Sequence, residues 1–418
     1  MTVRVWTADR VLTGDRGAVI DDGAVAVEGN TIVWVGPTAE LPGSLVDGAE
    51  IVTLPDVTLL PGLIDAHVHL GFDASLDPVR SLLADTDDTH RQRIVDNAAE
   101  LLRVGVTTAR DLGSRGYVSV EVRNAILAGS EIGPRLVVSG PPLTTVRGHC
   151  WFLGGECASR TEMLGLVRTH AARGVDLIKV MVSGGFMTPG RSPHESQIGT
   201  DDLVAVVRAA HEQGLRVAAH AHGSVAIADA VRAGVDTVEH CSFATEGAAC
   251  EPDLEVIGLI VKAGTVVCPT VNVRHPELAA ILGPERMPPI GLLWARGVPL
   301  VAGTDAGIGQ VVHRGYVGGL EALVWYGVPP ADVLVAATSA AADALGISGT
   351  TGRLKVGLDA DVIAVKGDPR DDIAALRNLS LILVRGRSHL PGPNREIAAY
   401  ELAPTYPSPP TDCASLDA

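Results

Sequence analysis

Residues 59–71 read Leu59-Leu-Pro-Gly-Leu-Ile-Asp-Ala-His-Val-His-Leu-Gly71. The apolar run predicts a buried strand. Side chains at positions i and i+2 of a strand point to the same face, so His67 and His69 aim two imidazoles at one point. Two neutral imidazoles in this context suit a divalent metal such as zinc better than a hydrophobic core. A His-x-His pair also occurs on ordinary surfaces, so the metal interpretation depends on finding further ligands.

The composition fits a globular protein with a sizeable core and argues against anionic partners. The chain has 418 residues, 46% of them apolar, and a formal net charge of -16. Negative charge without a local Lys/Arg cluster opposes binding to phosphate backbones and to anionic membrane surfaces. We therefore expect a small-molecule substrate as the partner, with no nucleic acid and no membrane. The sequence does not indicate the oligomeric state, and a homo-oligomer is compatible with it.

Cysteine usage and the N-terminal residues indicate the cellular compartment. The 6 cysteines are scattered without a C-x-x-C pair, which is typical of reduced thiols rather than of a disulfide framework. The first residues lack the apolar region of a signal peptide, and no run approaches the roughly 18 apolar residues of a membrane helix. We expect a cytoplasmic protein.

The hydrophobic pattern divides the chain into three kinds of segment. Residues 1–56 and 346–390 contain short β-like runs, with a hairpin turn at Gly29-Asn30, and are expected to join into one β-sandwich domain. Residues 57–345 alternate apolar strands with amphipathic helices, the pattern of parallel βα units. A Pro-rich tail at 391–418 lacks a core of its own.

The central segment predicts an α/β fold, a closed (β/α)8 TIM barrel, because eight βα units close naturally into this architecture. Helices that end in glycine, at Gly214 and Gly234, precede several of the strands and support this division. The eight strand candidates are Leu59–Leu70, Val106–Leu112, Arg135–Ser139, Leu177–Val182, Arg216–His222, Thr237–Phe243, Thr265–Val271 and Pro299–Asp305.

Polar residues recur at the C-terminal ends of these strands, where a barrel of this kind places its functional groups. Each lies in an apolar or glycine-rich context, where an unpaired polar group is costly. Their shared position favours one common site over separate structural roles. The residues are His67, His69, Lys179, His220, His222, His240 and Asp305.

Lys179 lies in Asp176-Leu-Ile-Lys-Val-Met-Val182, which has the composition of a buried strand. Lysine is almost never fully buried unless it is paired, so a buried salt bridge is one interpretation. The other is a neutral amine that reacts with carbon dioxide to give a carbamate, an anionic group whose two oxygens can bridge a pair of metal ions.

The other strand-end residues also leave alternatives open. His220 and His240 close adjacent strands and can converge on one ion, or they are satisfied core histidines. His222 faces the pocket as a substrate contact or belongs to the following loop. Asp305 is a ligand with small neighbours, or the N-cap of a helix.

Outside the strand ends, the loop Thr144-Thr-Val-Arg-Gly-His-Cys-Trp-Phe-Leu-Gly154 is the best source of substrate contacts, because long loops on the catalytic face carry binding groups. Within it we predict substrate-binding roles for His149 and Arg147; Arg191 is a further candidate for binding a substrate carboxylate. The remaining histidines fall in helical or loop contexts and are expected to be solvated: His90, His170, His211, His275, His313 and His389.

These motifs resemble the amidohydrolase superfamily. Pro61-Gly-Leu-Ile-Asp-Ala-His-Val-His69 is similar to its strand 1 signature, and the lysine, the two later histidines and the aspartate follow in the family's order. Leu177-Ile-Lys-Val-Met-Val-Ser-Gly-Gly185 and Ala219-His-Ala-His-Gly223 resemble the branch of imidazolonepropionase-related and Xaa-Pro dipeptidase-like enzymes.

The resemblance implies a cofactor of two Zn2+ ions per chain. By position, His67, His69 and Asp305 would hold one metal, His220 and His240 the second, and a carboxylated Lys179 would bridge them. One departure is Ala221, where some dipeptidase-like relatives have a tyrosine, so dipeptide specificity is not implied.

The expected function is hydrolysis of a carboxamide-type C–N bond in an N-acyl amino acid, a dipeptide or a cyclic amide. A metal-bridging hydroxide would attack, with Asp305 as catalytic base and then acid. A single-metal deaminase or cyclic-amidine hydrolase acting on a nitrogen heterocycle is the alternative, although His220-Ala-His-Gly223 lacks the acid that such enzymes often show three residues after this histidine. A non-catalytic barrel is the third possibility.

Overall fold

The computed structural model describes residues 2–247 and 249–392, so almost all of the Pro-rich tail expected at 391–418 lies outside the described residues. Strands occupy both ends of the described chain and alternate with helices between them. The strands are β1 (Val3–Leu12), β2 (Val19–Glu28), β3 (Thr31–Pro37), β4 (Glu50–Pro61), β5 (Leu63–Val68), β6 (Val106–Asp111), β7 (Arg135–Val138), β8 (Thr144–Thr145), β9 (Glu156–Cys157), β10 (Leu177–Met181), β11 (Arg216–Ala221), β12 (Thr237–His240), β13 (Val266–Cys268), β14 (Val362–Lys366), β15 (Leu379–Val384) and β16 (Arg387–His389).

The helices lie between and after the barrel strands, apart from the short α1, which precedes β4. They are α1 (Gly43–Val46), α2 (Pro78–Ala84), α3 (Asp87–Arg103), α4 (Val118–Ala128), α5 (Arg160–Arg173), α6 (Thr200–Glu212), α7 (Ser224–Ala233), α8 (Leu254–Ala263), α9 (His275–Leu282), α10 (Ile290–Ala295), α11 (Tyr316–Trp325), α12 (Pro330–Ala336) and α13 (Ser339–Leu345). The predicted glycine C-cap of α7 is present, because Gly234 takes the left-handed conformation with a φ of 81°.

The two terminal segments join in one seven-stranded sheet with the order β16-β15-β14-β4-β1-β2-β3. Strand β4 lies at its centre, parallel to β1 and antiparallel to β14. The hairpin predicted at Gly29-Asn30 connects β2 to β3, and Gly29 has the positive φ, 64°, that tight hairpin turns require. The expected joint β domain is therefore confirmed, while its boundaries at residues 56 and 345 stay predictions.

The central segment forms the predicted (β/α)8 barrel. Strands β5, β6 and β7 make one parallel sheet, and β10, β11, β12 and β13 make another. The sheets meet where the N–H of Asp176 donates to the carbonyl of Val138 at 2.8 Å, and where the N–H of Leu143 donates to the carbonyl of Lys179 at 2.8 Å.

The eighth position is filled by residues 299–306, which are too irregular to form a continuous strand. On one side the N–H of Val301 donates to the carbonyl of Val267 at 3.0 Å, and on the other the N–H of Asp305 donates to the carbonyl of His67 at 2.8 Å. Gly303 allows this close approach, since a Cβ there would lie 2.5 Å from Cys268 Sγ. The barrel closes here because the segment contains small residues.

Apolar side chains of the barrel strands pack together and against α13. This cluster includes Ile64, Ala66, Leu177, Ala218, Val301, Ala341 and Leu345. Among the described residues, no helix has both the length and the apolar character needed to cross a membrane.

Candidate active site

The strand-end residues predicted from the sequence meet in one place. Each is at most 9% exposed, and the most exposed of them is Asp305. They come from β5, β10, β11, β12 and the segment after residue 299, so separate strands of the barrel converge on them. We call His67, His69, Lys179, His220, His222, His240 and Asp305 the floor of the site.

One half of the floor consists of His67, His69 and Asp305. Asp305 Oδ1 lies 3.2 Å from Nε2 of His67 and 3.2 Å from Nε2 of His69. Burial alone would raise the pKa of Asp305, but the two imidazoles outweigh it and hold the pKa well below its ordinary value. Asp305 is therefore a carboxylate in this environment. It does not cap a helix, because the next described α-helix begins at Tyr316.

The other half consists of His220, His222 and His240, whose ring nitrogens lie within 4.8 Å of one another. One nitrogen of each ring has a protein partner: His220 Nε2 contacts Gly184 O at 2.9 Å, His222 Nδ1 contacts Ser242 Oγ at 2.8 Å, and His240 Nδ1 contacts Thr270 Oγ1 at 2.9 Å. Burial lowers the pKa of all three, to about 4 for His222. The imidazoles are thus neutral, the form in which histidine binds a metal.

Lys179 lies beside both halves and is 1% exposed. Its Nζ has no hydrogen-bond partner among the described residues, so the buried salt bridge considered above is not formed there. Burial lowers the pKa of the amine, although Glu239 and Asp305 raise it again. A lysine in this environment is easily deprotonated.

A buried ion pair beneath the floor was not predicted from the sequence. Glu239 accepts from His67 Nδ1 at 2.8 Å and from Arg110 at 2.8 Å, and all three side chains are almost fully buried. Burial alone would raise the pKa of Glu239, but Arg110 and His67 lower it far below its usual range. Since a carboxylate only accepts hydrogen bonds, Nδ1 of His67 donates its proton to Glu239, and Nε2 faces Asp305.

Two residues of the floor have a strained backbone conformation. Strict alternation along a strand would place Glu239 and His240 on opposite faces. His240 has a φ of 70°, so the regular strand conformation is interrupted at this residue. Asp305 also has a positive φ, 60°. The left-handed region is unfavourable for residues other than glycine and is often found at functional sites, where the surrounding structure holds it.

The floor opens into a cavity of about 270 Å³. His149 and His222, both predicted substrate contacts, line it. His149 is 3% exposed, its Nδ1 has no described partner, and burial lowers its pKa to about 3. A neutral imidazole in this position can donate or accept a hydrogen bond.

Arg147, predicted from the sequence as a substrate contact, does not line the cavity in this structure. Its guanidinium stacks over Trp151, 5.4 Å from the ring centroid, and its side chain is exposed. Arg191 reaches back to the carbonyl of Arg147 at 2.7 Å and does not line the cavity either. The two arginines belong to different loops, and neither loop sequence indicates that its arginine stays out of the cavity lining.

Four histidines expected to be solvated are buried, and that prediction is wrong for them. They are His90, His170, His275 and His313, all at most 9% exposed. Each ring has a partner: Ser114 Oγ, Tyr117 OH, Tyr326 OH and the carbonyl of His69, respectively. Because helices pack against the barrel, a polar residue on the packed face is buried and satisfied, and His275 also lines the cavity.

Comparisons with known proteins identify the family of this chain and several similar proteins. The model of the Amidohydrolase family matches residues 58–388, and that of the bacterial imidazolonepropionase-like composite domain matches residues 23–43. An ochratoxinase from Aspergillus niger is 28% identical over 398 residues, covering 84% of this chain and 78% of the relative. An imidazolonepropionase from Acidiphilium cryptum is 24% identical over 377 residues, covering 84% of this chain and 88% of the relative.

Solved structures extend the similarity to the whole fold. The crystal structure of a Xaa-Pro dipeptidase with methionine bound in its active site has a TM-score of 0.83 and 27% identity, covering 93% of this chain and 100% of the other. The A. niger ochratoxinase structure has a TM-score of 0.81 and 27% identity, covering 94% of this chain and 96% of the other. The family match spans the barrel and every residue of the floor, and the chain belongs to the amidohydrolase family.

Proposed function

We propose that this chain is a zinc-dependent hydrolase that cleaves the carboxamide-type C–N bond of an N-acyl amino acid, a dipeptide or a cyclic amide. The observation that carries the proposal is the convergence of two groups of metal-ligating side chains in one floor, together with a buried lysine whose Nζ has no hydrogen-bond partner among the described residues. The relatives support it, since they are named as a dipeptidase, an ochratoxinase and imidazolonepropionases.

The floor fits a pair of metal ions. Lys179 Nζ is buried without a hydrogen-bond partner among the described residues, and His67 Nε2 and Asp305 Oδ1 face each other at 3.2 Å without hydrogen-bond geometry, an arrangement that is costly unless another group binds there. His67, His69 and Asp305 would hold one zinc, and His220 and His240 would hold the second. Lys179 would contribute to both as a carbamate, formed when its neutral amine adds to carbon dioxide and releases a proton. His222 and His149 remain for the substrate.

When bound, the two ions lower the pKa of a shared water and polarise the scissile carbonyl. The protein's own part in the reaction then falls to Asp305. Its carboxylate accepts the proton released as the water oxygen bonds to the carbonyl carbon, and it delivers that proton to the leaving nitrogen as the C–N bond breaks. His149 and His222 are placed to hold the substrate by hydrogen bonds.

A hydrolysis screen tests this proposal. Zinc-loaded protein is offered N-acyl amino acids, dipeptides, lactams and cyclic imides, and its metal content is measured by elemental analysis. We expect about two zinc ions per chain and hydrolysis of at least one amide class. Inert amides, release of ammonia from an aminated heterocycle and about one metal per chain would instead identify the deaminase alternative. We also propose a cytoplasmic location, because the cysteines of the described residues are free thiols.

A further inference from the structure

Two cationic residues line the cavity, and they differ in their surroundings. Lys179 is buried in the floor beside carboxylates. Arg286 is exposed and forms no ion pair with any described acidic residue. A guanidinium keeps its charge at every physiological pH and presents a planar fork of donors that matches a carboxylate. Arg286 is therefore a permanent cation at the cavity without a carboxylate partner of its own.

Apolar side chains form much of the wall of the cavity that Arg286 lines. Six of the residues that form this wall are Phe186, Met187, Leu278, Leu282, Met287 and Ile308. Phe186 is 76% exposed, with its ring centroid 5.2 Å from that of His222, and Leu282 is 44% exposed. Exposed apolar side chains that gather around a cavity indicate a surface that an apolar ligand covers.

The backbone that carries Arg286 is fixed by two loops. Within its own loop, the N–H of Arg286 donates to the carbonyl of Gly283 at 3.2 Å. From the loop after β12, the N–H of Cys250 donates to the carbonyl of Glu285 at 2.7 Å, and the thiol of Cys250 contacts the carbonyl of Arg286 at 3.3 Å. A binding group on a fixed backbone loses little freedom when it meets its ligand.

Other arginines near the cavity mouth are already engaged elsewhere. Arg147 stacks on Trp151, Arg191 donates to backbone carbonyls of the same loop, and Arg274 pairs with Glu277 and Gln310. None of these three lines the cavity. Among the described arginines, Arg286 is therefore the one that lines the cavity, and it is positioned to contact a substrate anion.

We propose that Arg286 binds the carboxylate of the substrate, while the apolar wall receives its side chain and the amide carbonyl lies at the floor. The substrates would then be N-acyl amino acids or dipeptides with apolar side chains, rather than neutral cyclic amides. This inference rests on the proposed function for its catalytic part, and it assigns to Arg286 the role that the sequence suggested for Arg147.

The kinetic test compares two substrates with the same scissile bond, N-acetylmethionine and N-acetylmethioninamide. For the zinc-loaded wild type we expect kcat/KM to favour the carboxylate by roughly 10- to 100-fold, the usual strength of a hydrogen bond to a charged group. Arg286→Met should remove this preference, because it should lower kcat/KM for the carboxylate, mainly through KM, roughly 10- to 100-fold more than for the carboxamide. Arg286→Lys should recover part of it, and Arg147→Met should behave like the wild type.

A binding measurement keeps the inference testable if neither compound is hydrolysed. Calorimetry with methionine and methioninamide should give a lower Kd for methionine in the wild type and no difference in Arg286→Met. Equal kcat/KM for the two substrates in the wild type would overturn the inference while leaving the hydrolase proposal intact. Equal losses for both substrates in Arg286→Met would overturn it too. Absence of all amide hydrolysis, with the preference for methionine retained, would overturn only the proposed function.

Discussion

The floor and the mouth of the cavity are built by different parts of the chain. At the floor, parallel strands hold Lys179 and His220 through regular backbone hydrogen bonds, and the N–H of Asp305 donates to the carbonyl of His67. At the mouth, loops and short helices place Arg286, His275 and Phe186 without such a ladder. Strands thus fix where the floor groups meet, whereas only the three-dimensional course of the loops decides which mouth residues face the cavity.

The largest effect is expected from the floor, in Asp305→Asn. The amide cannot take the proton from the attacking water, so the hydrolysis rate should fall by about 10²- to 10⁴-fold. The rate is measured on protein whose zinc content has been determined, to separate lost chemistry from lost metal. Asp332→Asn, which removes a carboxylate paired with Arg16 at the surface, is the control and should leave the rate unchanged. Unchanged activity in metal-replete Asp305→Asn would contradict the assignment.

The support beneath the floor is tested by Glu239→Met. The substitution leaves Arg110 buried without its carboxylate, so the free energy of unfolding should fall by about 3–5 kcal/mol. It also removes the acceptor that orients His67, which should weaken zinc binding roughly 10- to 100-fold. Denaturant unfolding and zinc titration measure the two effects.

The double variant Glu239→Met with Arg110→Met separates charge from orientation. With both charges gone, most of the lost stability should return, because apolar replacements of a buried ion pair are often tolerated. Zinc affinity should stay low, since His67 Nδ1 still lacks its acceptor. Recovery of both properties together would show that Glu239 does not orient His67.

A smaller effect is expected from the buried histidine at the mouth. Burial lowers the pKa of His275 from 6.5 to about 4, so the folded protein excludes a proton that the unfolded chain binds. Its contribution to stability is present above pH 6.5 and is lost as the pH falls toward 4, by about 3 kcal/mol in all. His275→Asn should remove this part of the acid dependence in denaturant unfolding of the metal-free protein. Tyr326→Phe removes only the hydrogen bond to His275, so this variant should retain the acid dependence of stability.

The smallest effect is expected from Arg147→Met. Arg147 is exposed and outside the cavity, so its loss should change the free energy of unfolding by no more than about 0.5 kcal/mol and leave kcat/KM unaltered. Steady-state kinetics with the preferred substrate would check this. A tenfold loss of kcat/KM would show that the mouth rearranges to bring Arg147 to the substrate.

The sequence could predict the floor because strand periodicity and barrel topology place its residues with few assumptions. His67 and His69 share a face by their spacing alone, and His220 and His240 end neighbouring strands. Glu239 and Arg110 were missed, although an acidic and a basic residue in two apolar strands of one barrel are a signal of a buried ion pair.

The mouth could not be predicted in the same way. His149 lies where its loop suggested, but Arg147, two residues earlier with a φ of 51°, turns outward to Trp151. From its sequence context, His275 is expected at the surface. In the structure its ring contacts the hydroxyl of Tyr326, because α9 packs in the layer outside the barrel. No local pattern contains these contacts, because they depend on how separate loops pack.

Strand β4 of the terminal sheet ends at Pro61, and β5 of the barrel begins at Leu63, so a single residue, Gly62, separates the two. The N–H of Gly62 donates to the carbonyl of Asp361 at 2.9 Å, and a Cβ at this position would lie 2.1 Å from Thr107 Oγ1. The strand that carries His67 and His69 is thus a direct continuation of the central strand of the β domain. Neither domain can therefore be transferred to another protein as a separate unit. A barrel cut out near residue 57 would lose the strand that fixes the start of β5.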